Sequence, residues 1–182
     1  MNRVHRGVLV VAAVALASAV SMSAQSGTVS GTFAVNGKKV PVQHIAAVTY
    51  DTPLGRVLSV LVSDKPMNQK TFQEYTRVSP GERYVPGSIP GAWVTMHVDD
   101  KAFTGFSFTI DAKGTLMLND VLVGTKRDDN FSILEDYLVL DLKSSSPRAT
   151  GRLRTKDPVA DLGSQKVSID LTFDAPVAQV GK

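Results

Sequence analysis

Past the first two dozen residues, the groups whose types and spacing could do chemistry are two histidines, three adjacent carboxylate pairs and one basic row. His44 shares parity with Val40, Val42, Ala46, Val48 and Tyr50. It is therefore expected to face the core or a cavity, as a neutral imidazole with a hydrogen-bond partner. His97 lies just before Asp99-Asp100, on the opposite parity from Val94, Met96 and Val98. Neither His-x-His nor His-Glu-x-x-His occurs, so the histidines spell no metal site, and no cofactor is predicted. Ser88 sits in Pro86-Gly87-Ser88-Ile89-Pro90 rather than in a Gly-x-Ser-x-Gly elbow, and Ser-x-x-Lys with its partner motifs is missing. With no cysteine, thiolate metal sites, thioether haem and a cysteine nucleophile are excluded. The pairs Asp99-Asp100, Asp128-Asp129 and Glu135-Asp136 fall at turns or strand ends, where solvated carboxylates are expected. Lys126–Asn130 lacks the ligand spacing of a calcium hand. No catalytic residue is assigned.

Two features point to binding. Arg148, Arg152, Arg154 and Lys156 occupy alternate positions, interrupted by Thr150, so one strand face carries a basic row. Asp170 and Asp174 are available across from it as ordinary cross-strand partners, with an anionic surface as the other reading. The loop Glu82-Arg83-Tyr84-Val85-Pro86 leads toward Trp93, the only tryptophan. A Pro/Gly-rich loop carrying Arg83 and Tyr84 beside Trp93 could present a contact surface, or the aromatics could plug one end of the core. The candidate binding residues are thus Arg83, Tyr84, Trp93, His44, Arg152 and Arg154.

The elements that must position these groups are strands. Val167, Ile169, Leu171 and Phe173 alternate with polar residues, as in a half-buried antiparallel strand. Phe106, Phe108 and Ile110 repeat the pattern before a turn at Asp111–Gly114, and Val94, Met96 and Val98 predict another strand turning at Asp99–Lys101. Thr28–Val35 predicts a strand, and Asn36-Gly37 a tight hairpin returning along Lys38–Tyr50. Arg56–Ser63 is apolar on both parities and belongs in the middle of a sheet. Further strands are expected at Thr115–Val123, Phe131–Leu134, Tyr137–Leu142 and Ala149–Lys156. Met67, Phe72, Tyr75 and Val78 carry helical spacing after Pro66, and Ser79–Gly91 is a loop. The sum is an all-β chain of about nine or ten strands with one short helix, a single antiparallel β-sandwich or partly closed β-barrel.

Arg3, His5 and Arg6, the apolar run Val8–Val20 and the small residues through Ala24 have the order of a secretory signal peptide cleaved after Ala24. The run is shorter than the roughly 20 residues that span a bilayer, so no membrane span is expected after cleavage. Residues 25–176 then form one domain with a helix-loop insertion at 66–91, and 177–182 a tail. Of 20 basic and 17 acidic residues, Arg3 and Arg6 leave with the signal, so the mature chain is near neutral. Nucleic acid is therefore not the expected partner. An exported chain without disulfides fits a bacterial periplasm or medium. Val35-Asn36-Gly37-Lys38, Leu61–Pro66, Gly151–Thr155 and Leu171–Pro176 resemble segments of uncharacterised exported bacterial all-β proteins, a resemblance that implies no activity. The expected function is non-catalytic binding of a cell-envelope or small-molecule partner through the 79–91 loop. The alternatives are a calycin-like carrier of a small apolar ligand and a hydrolase of unrecognised type.

Overall fold

A computed structural model describes residues 27–76 and 88–180. The leader and most of the 79–91 loop, including Arg83 and Tyr84, lie outside the described residues. In chain order the strands are β1 (Thr28–Val35), β2 (Lys38–Lys39), β3 (His44–Thr52), β4 (Gly55–Ser63), β5 (Gly105–Ile110), β6 (Leu116–Leu122), β7 (Phe131–Ser132), β8 (Leu138–Ser145), β9 (Arg148–Thr155), β10 (Ala160–Asp161) and β11 (Lys166–Gln179). Helices α1 (Gln69–Tyr75) and α2 (Ser88–Val98) stand between β4 and β5. The strands make one curled sheet that wraps into a half-barrel, so the fold is all-β.

Strand β11 organises the curl. Its first part pairs antiparallel with β1 on one side and β9 on the other. Its last three residues pair with Ala47–Thr49 of β3, in parallel. Residues 177–179, expected as tail, are therefore strand. From β3 the sheet continues antiparallel through β4, β5 and β6 to β7, while β8 flanks β9. Every pairing is antiparallel except β11 with β3.

The concave side holds the main core. Alternate residues Val167, Ile169, Leu171, Phe173 and Ala175 of β11 face Leu58, Val60 and Val62 of β4 and Phe106, Phe108 and Ile110 of β5. Four phenylalanines pile through its middle: Phe33 on Phe106, Phe106 on Phe108 and Phe108 on Phe173, with centroids 5.5–6.2 Å apart. Burying each such side chain is worth about 1.5–3 kcal/mol, so the pile is a large share of what holds the two halves together.

As expected from its sequence, β4 is central and is buried on both faces from Val57 to Ser63. Its convex face is covered by the two helices. Asn68 caps α1, its side chain accepting the Thr71 amide at 3.1 Å. Phe72 of α1 and Ile89, Trp93 and Met96 of α2 pack on Val48, Tyr50, Val57, Leu61 and Leu122.

Two further expectations are corrected. The segment Trp93–Val98 is helix, not strand, because Ile89, Trp93, Met96 and His97 recur at helical spacing and all are buried. Pro90 falls within the first turn of α2, where its missing N–H costs nothing. The strand predicted to return along 38–50 is two pieces: β2 pairs with β1, but β3 leaves for β4 and β11. Pro41, between them, cannot donate to a ladder.

Gly31 sits mid-strand in β1 at φ 121°, and a Cβ there would come 2.0 Å from the Asp170 carbonyl oxygen of β11. Gly37, in the β1–β2 turn at φ 76°, has open space around it. Gly31→Ala should therefore cost about 3 kcal/mol and Gly37→Ala about 1 kcal/mol. Urea unfolding of the two variants checks the order; equal losses would mean that the close approach to β11 contributes nothing.

Candidate functional site

Those of the singled-out residues that are described, His44, Trp93, Arg152 and Arg154, do not assemble into one site. His97 is buried near the end of α2, with Nδ1 against the Phe103 carbonyl and Nε2 2.7 Å from the Gly124 carbonyl. Both ring nitrogens are thus engaged by backbone, and the imidazole ties the helix end to the start of β5 and the segment after β6. His44 is half-buried at the start of β3, opposite Ser63. Trp93 is fully buried, and its indole N–H points to Met67 Sδ at 3.3 Å. It is a plug between α1 and the sheet, not a contact surface, which corrects that assignment.

The basic row of β9 is met by carboxylates on β11. Arg148 Nε lies 2.6 Å from Asp174, and Arg152 makes a two-pronged contact with Asp170 at 2.7 Å. That guanidinium holds the Asp170 carboxyl below its usual range. Arg154 adds to the positive field at Asp170. The register places Arg152 opposite Thr172 and Arg154 opposite Asp170, so Arg152 reaches its partner along the diagonal. Arg148 and Arg152 are thus engaged in cross-strand pairs on a solvated face, each worth little in stability, while Arg154 and Lys156 make no ion pair among the described residues.

A second polar set lies on the convex face beneath the helices. Tyr50 OH stands 3.2 Å from Ser59 Oγ, which stands 2.6 Å from Thr109 Oγ1. Beside them on β5, Ser107 is buried and its hydroxyl has no hydrogen-bond partner among the described residues. Asp120 is opposite Ser107 in the β5–β6 register and accepts from Ser132 at 2.8 Å. Burial raises the Asp120 carboxyl above its usual range, with the Ser132 bond opposing. Among the described residues no imidazole is placed against these hydroxyls, and the Asp120 carboxylate is bonded to Ser132 rather than to Ser107.

The half-barrel opens at both ends. One end has a cavity of about 370 Å³ lined by residues including Lys38, Lys39, Val40, Asp64 and Val123. The other has a cleft of about 410 Å³. Two turns meet there, Asp111–Thr115 between β5 and β6 and Ser145–Arg148 between β8 and β9, beside Thr49 of β3, Arg56, Val57 and Leu58 of β4 and the end of β11. Leu58, Ile110, Leu142 and Val177 form its apolar floor, while Thr49, Arg56, Asp111, Lys113, Ser145, Ser146 and Gln179 supply its polar rim. The turns are fixed by their own hydrogen bonds. Asp111 Oδ1 accepts the amides of Thr115 and Lys113 at 2.9 and 2.8 Å, which holds its pKa below the usual carboxylate range. The Val177 amide donates to the Pro147 carbonyl at 2.9 Å, which ties the β8–β9 turn to β11. An apolar floor inside a rim of convergent polar groups on rigid turns is the usual form of a small-molecule site.

Sequence reasoning missed this cleft because its members come from five strands far apart in the chain. The one legible signal was the Asp111–Gly114 turn. Comparison with known protein families, with characterised proteins and with solved structures gives no match. Among the described residues there is no group of three or more histidine, cysteine or acidic side chains that could hold a metal ion. No helix among them is long and apolar enough to cross a membrane.

Because the Asp120 carboxyl is raised in the folded state, its folded form prefers the proton. Its contribution to stability is present at acid pH and lost as pH rises through its titration. Asp120→Asn keeps an acceptor for Ser132 and removes the buried charge. The variant should be more stable by roughly 1 kcal/mol at pH 7, with the gain vanishing below the carboxylate range. Thermal melts of both proteins from pH 3 to 8 check this; a gain that does not change with pH would remove burial of the charge as its cause.

Proposed function

We propose that this protein is an exported, non-catalytic binding domain that takes a small ligand in the cleft between the β5–β6 and β8–β9 turns and the adjoining parts of β3, β4 and β11. The observation that carries this reading is the cleft itself: a cavity of about 410 Å³ whose floor is apolar and whose rim includes polar groups on the self-bonded Asp111–Thr115 turn. The phenylalanine pile occupies the middle of the half-barrel, so a ligand is met at the end of the strands rather than inside. The charge, apolar run and small residues of the first 24 positions support export, and a periplasmic or secreted location goes with it. Recognition is moved here from the 79–91 loop, because Trp93 is core and Arg83 and Tyr84 lie outside the described residues.

The test uses Ala112, an exposed residue of the cleft wall. Ala112→Trp should abolish binding of a small-molecule hit from a ligand screen while leaving the melting temperature within a few degrees. Amide resonances of residues 110–114, 145–147 and 177–179 should respond to the hit in the unsubstituted protein. Hits that leave those resonances unmoved, or that bind Ala112→Trp equally well, place the site elsewhere.

A further inference from the structure

We infer that the cleft selects an amphipathic anion: a single negatively charged head on a short apolar tail. This rests on the binding reading above and names its ligand class. Of the three charged side chains lining the cleft, two are cations, Arg56 and Lys113. The third, Asp111, has its Oδ1 turned into its own loop, where it accepts two backbone amides. Arg56 spends only Nε, on Asp51 at 3.1 Å, and its two terminal nitrogens make no hydrogen bond among the described residues. Lys113 has no ion-pair partner among the described residues. The charged donors left open at the rim are therefore cationic, and they stand over a floor of leucine, isoleucine and valine. A head that accepts from guanidinium and ammonium groups satisfies the rim, and an alkyl chain covers the floor. A neutral amphiphile would leave Lys113 without a counter-ion and the terminal nitrogens of Arg56 without an acceptor, and a cationic one would oppose both side chains.

The inference is tested by titrating the full chain, expressed with its leader and purified, with octanoate, 1-octanol and octylammonium, followed by amide NMR. Octanoate should shift the amides of residues 110–114 and 145–147 and bind at least about tenfold tighter than the other two. Lys113→Gln should weaken octanoate about tenfold and leave 1-octanol unchanged. Lys143→Gln, on β8 outside the cleft, should change neither. If 1-octanol or octylammonium binds the same amides as tightly as octanoate, the anion preference is overturned and the cleft reading stands. If none of the three moves those amides, both are overturned. Cosedimentation with phosphatidylglycerol vesicles that octanoate does not displace would replace the free amphiphile by a membrane surface and overturn the inference.

Discussion

The fold depends on β11 being held on both sides at once. Over most of its length it is hydrogen-bonded to β1 and β9, and its end crosses to β3, so one strand belongs to both halves of the curl. Its alternation is strict: residues 167, 169, 171, 173 and 175 are buried in the concave core. A slip of one residue would turn all five outward and carry Asp170 and Asp174 inward. The ion pairs with Arg148 and Arg152 oppose the same slip from the solvent side. Their energy is small, as expected for exposed pairs, but they agree with the core about register.

That arrangement leaves the two halves of the sheet in different environments. Around β9 and β11 only one face is buried, and the other carries the charged ladder. Around β4 and β5 both faces are buried, which makes the helices necessary rather than decorative. Without α1 and α2 the convex side would expose Val48, Val57, Leu61 and Leu122 to water. Ser59, Ser107 and Thr109 lie on that same covered face and are buried with it. His97 completes the cover by fixing the end of α2 to backbone on either side.

How much of this is written in the local sequence differs by element. The strand at Thr28–Val35, the central strand ending at Ser63, the alternation in β5 and β11 and the helix holding Phe72 all follow from periodicity. The Asn36-Gly37 turn follows from its residues, both of which adopt positive φ. Helix α2 does not, because Val94, Met96 and Val98 alternate as a strand would, and only burial of Ile89, Trp93 and Met96 distinguishes the two. Pro41 was a legible breaker whose consequence was not: it separates β2 from β3, but the partners β3 finds are set by tertiary contacts. The cross-strand pairing of the basic row was legible because it needs only alternation and one neighbouring strand. The cleft needs strand order, and strand order is not a local property.

The same physics explains where a ligand can be met. A barrel that carries cargo inside keeps its inward positions small or leaves space between them. Here the inward positions are phenylalanines stacked ring on ring, and they spend the interior on stability. What remains are the ends, where strands give way to turns and the side chains no longer alternate in and out. At the end near Asp111 the floor is still the last apolar layer of the core, Leu58 and Ile110, both buried. The turns above it are held by hydrogen bonds of their own, so their polar side chains are positioned without any contribution from a ligand. A binder built this way loses little conformational entropy at the site when it is occupied, because the rigid part was ordered when the chain folded.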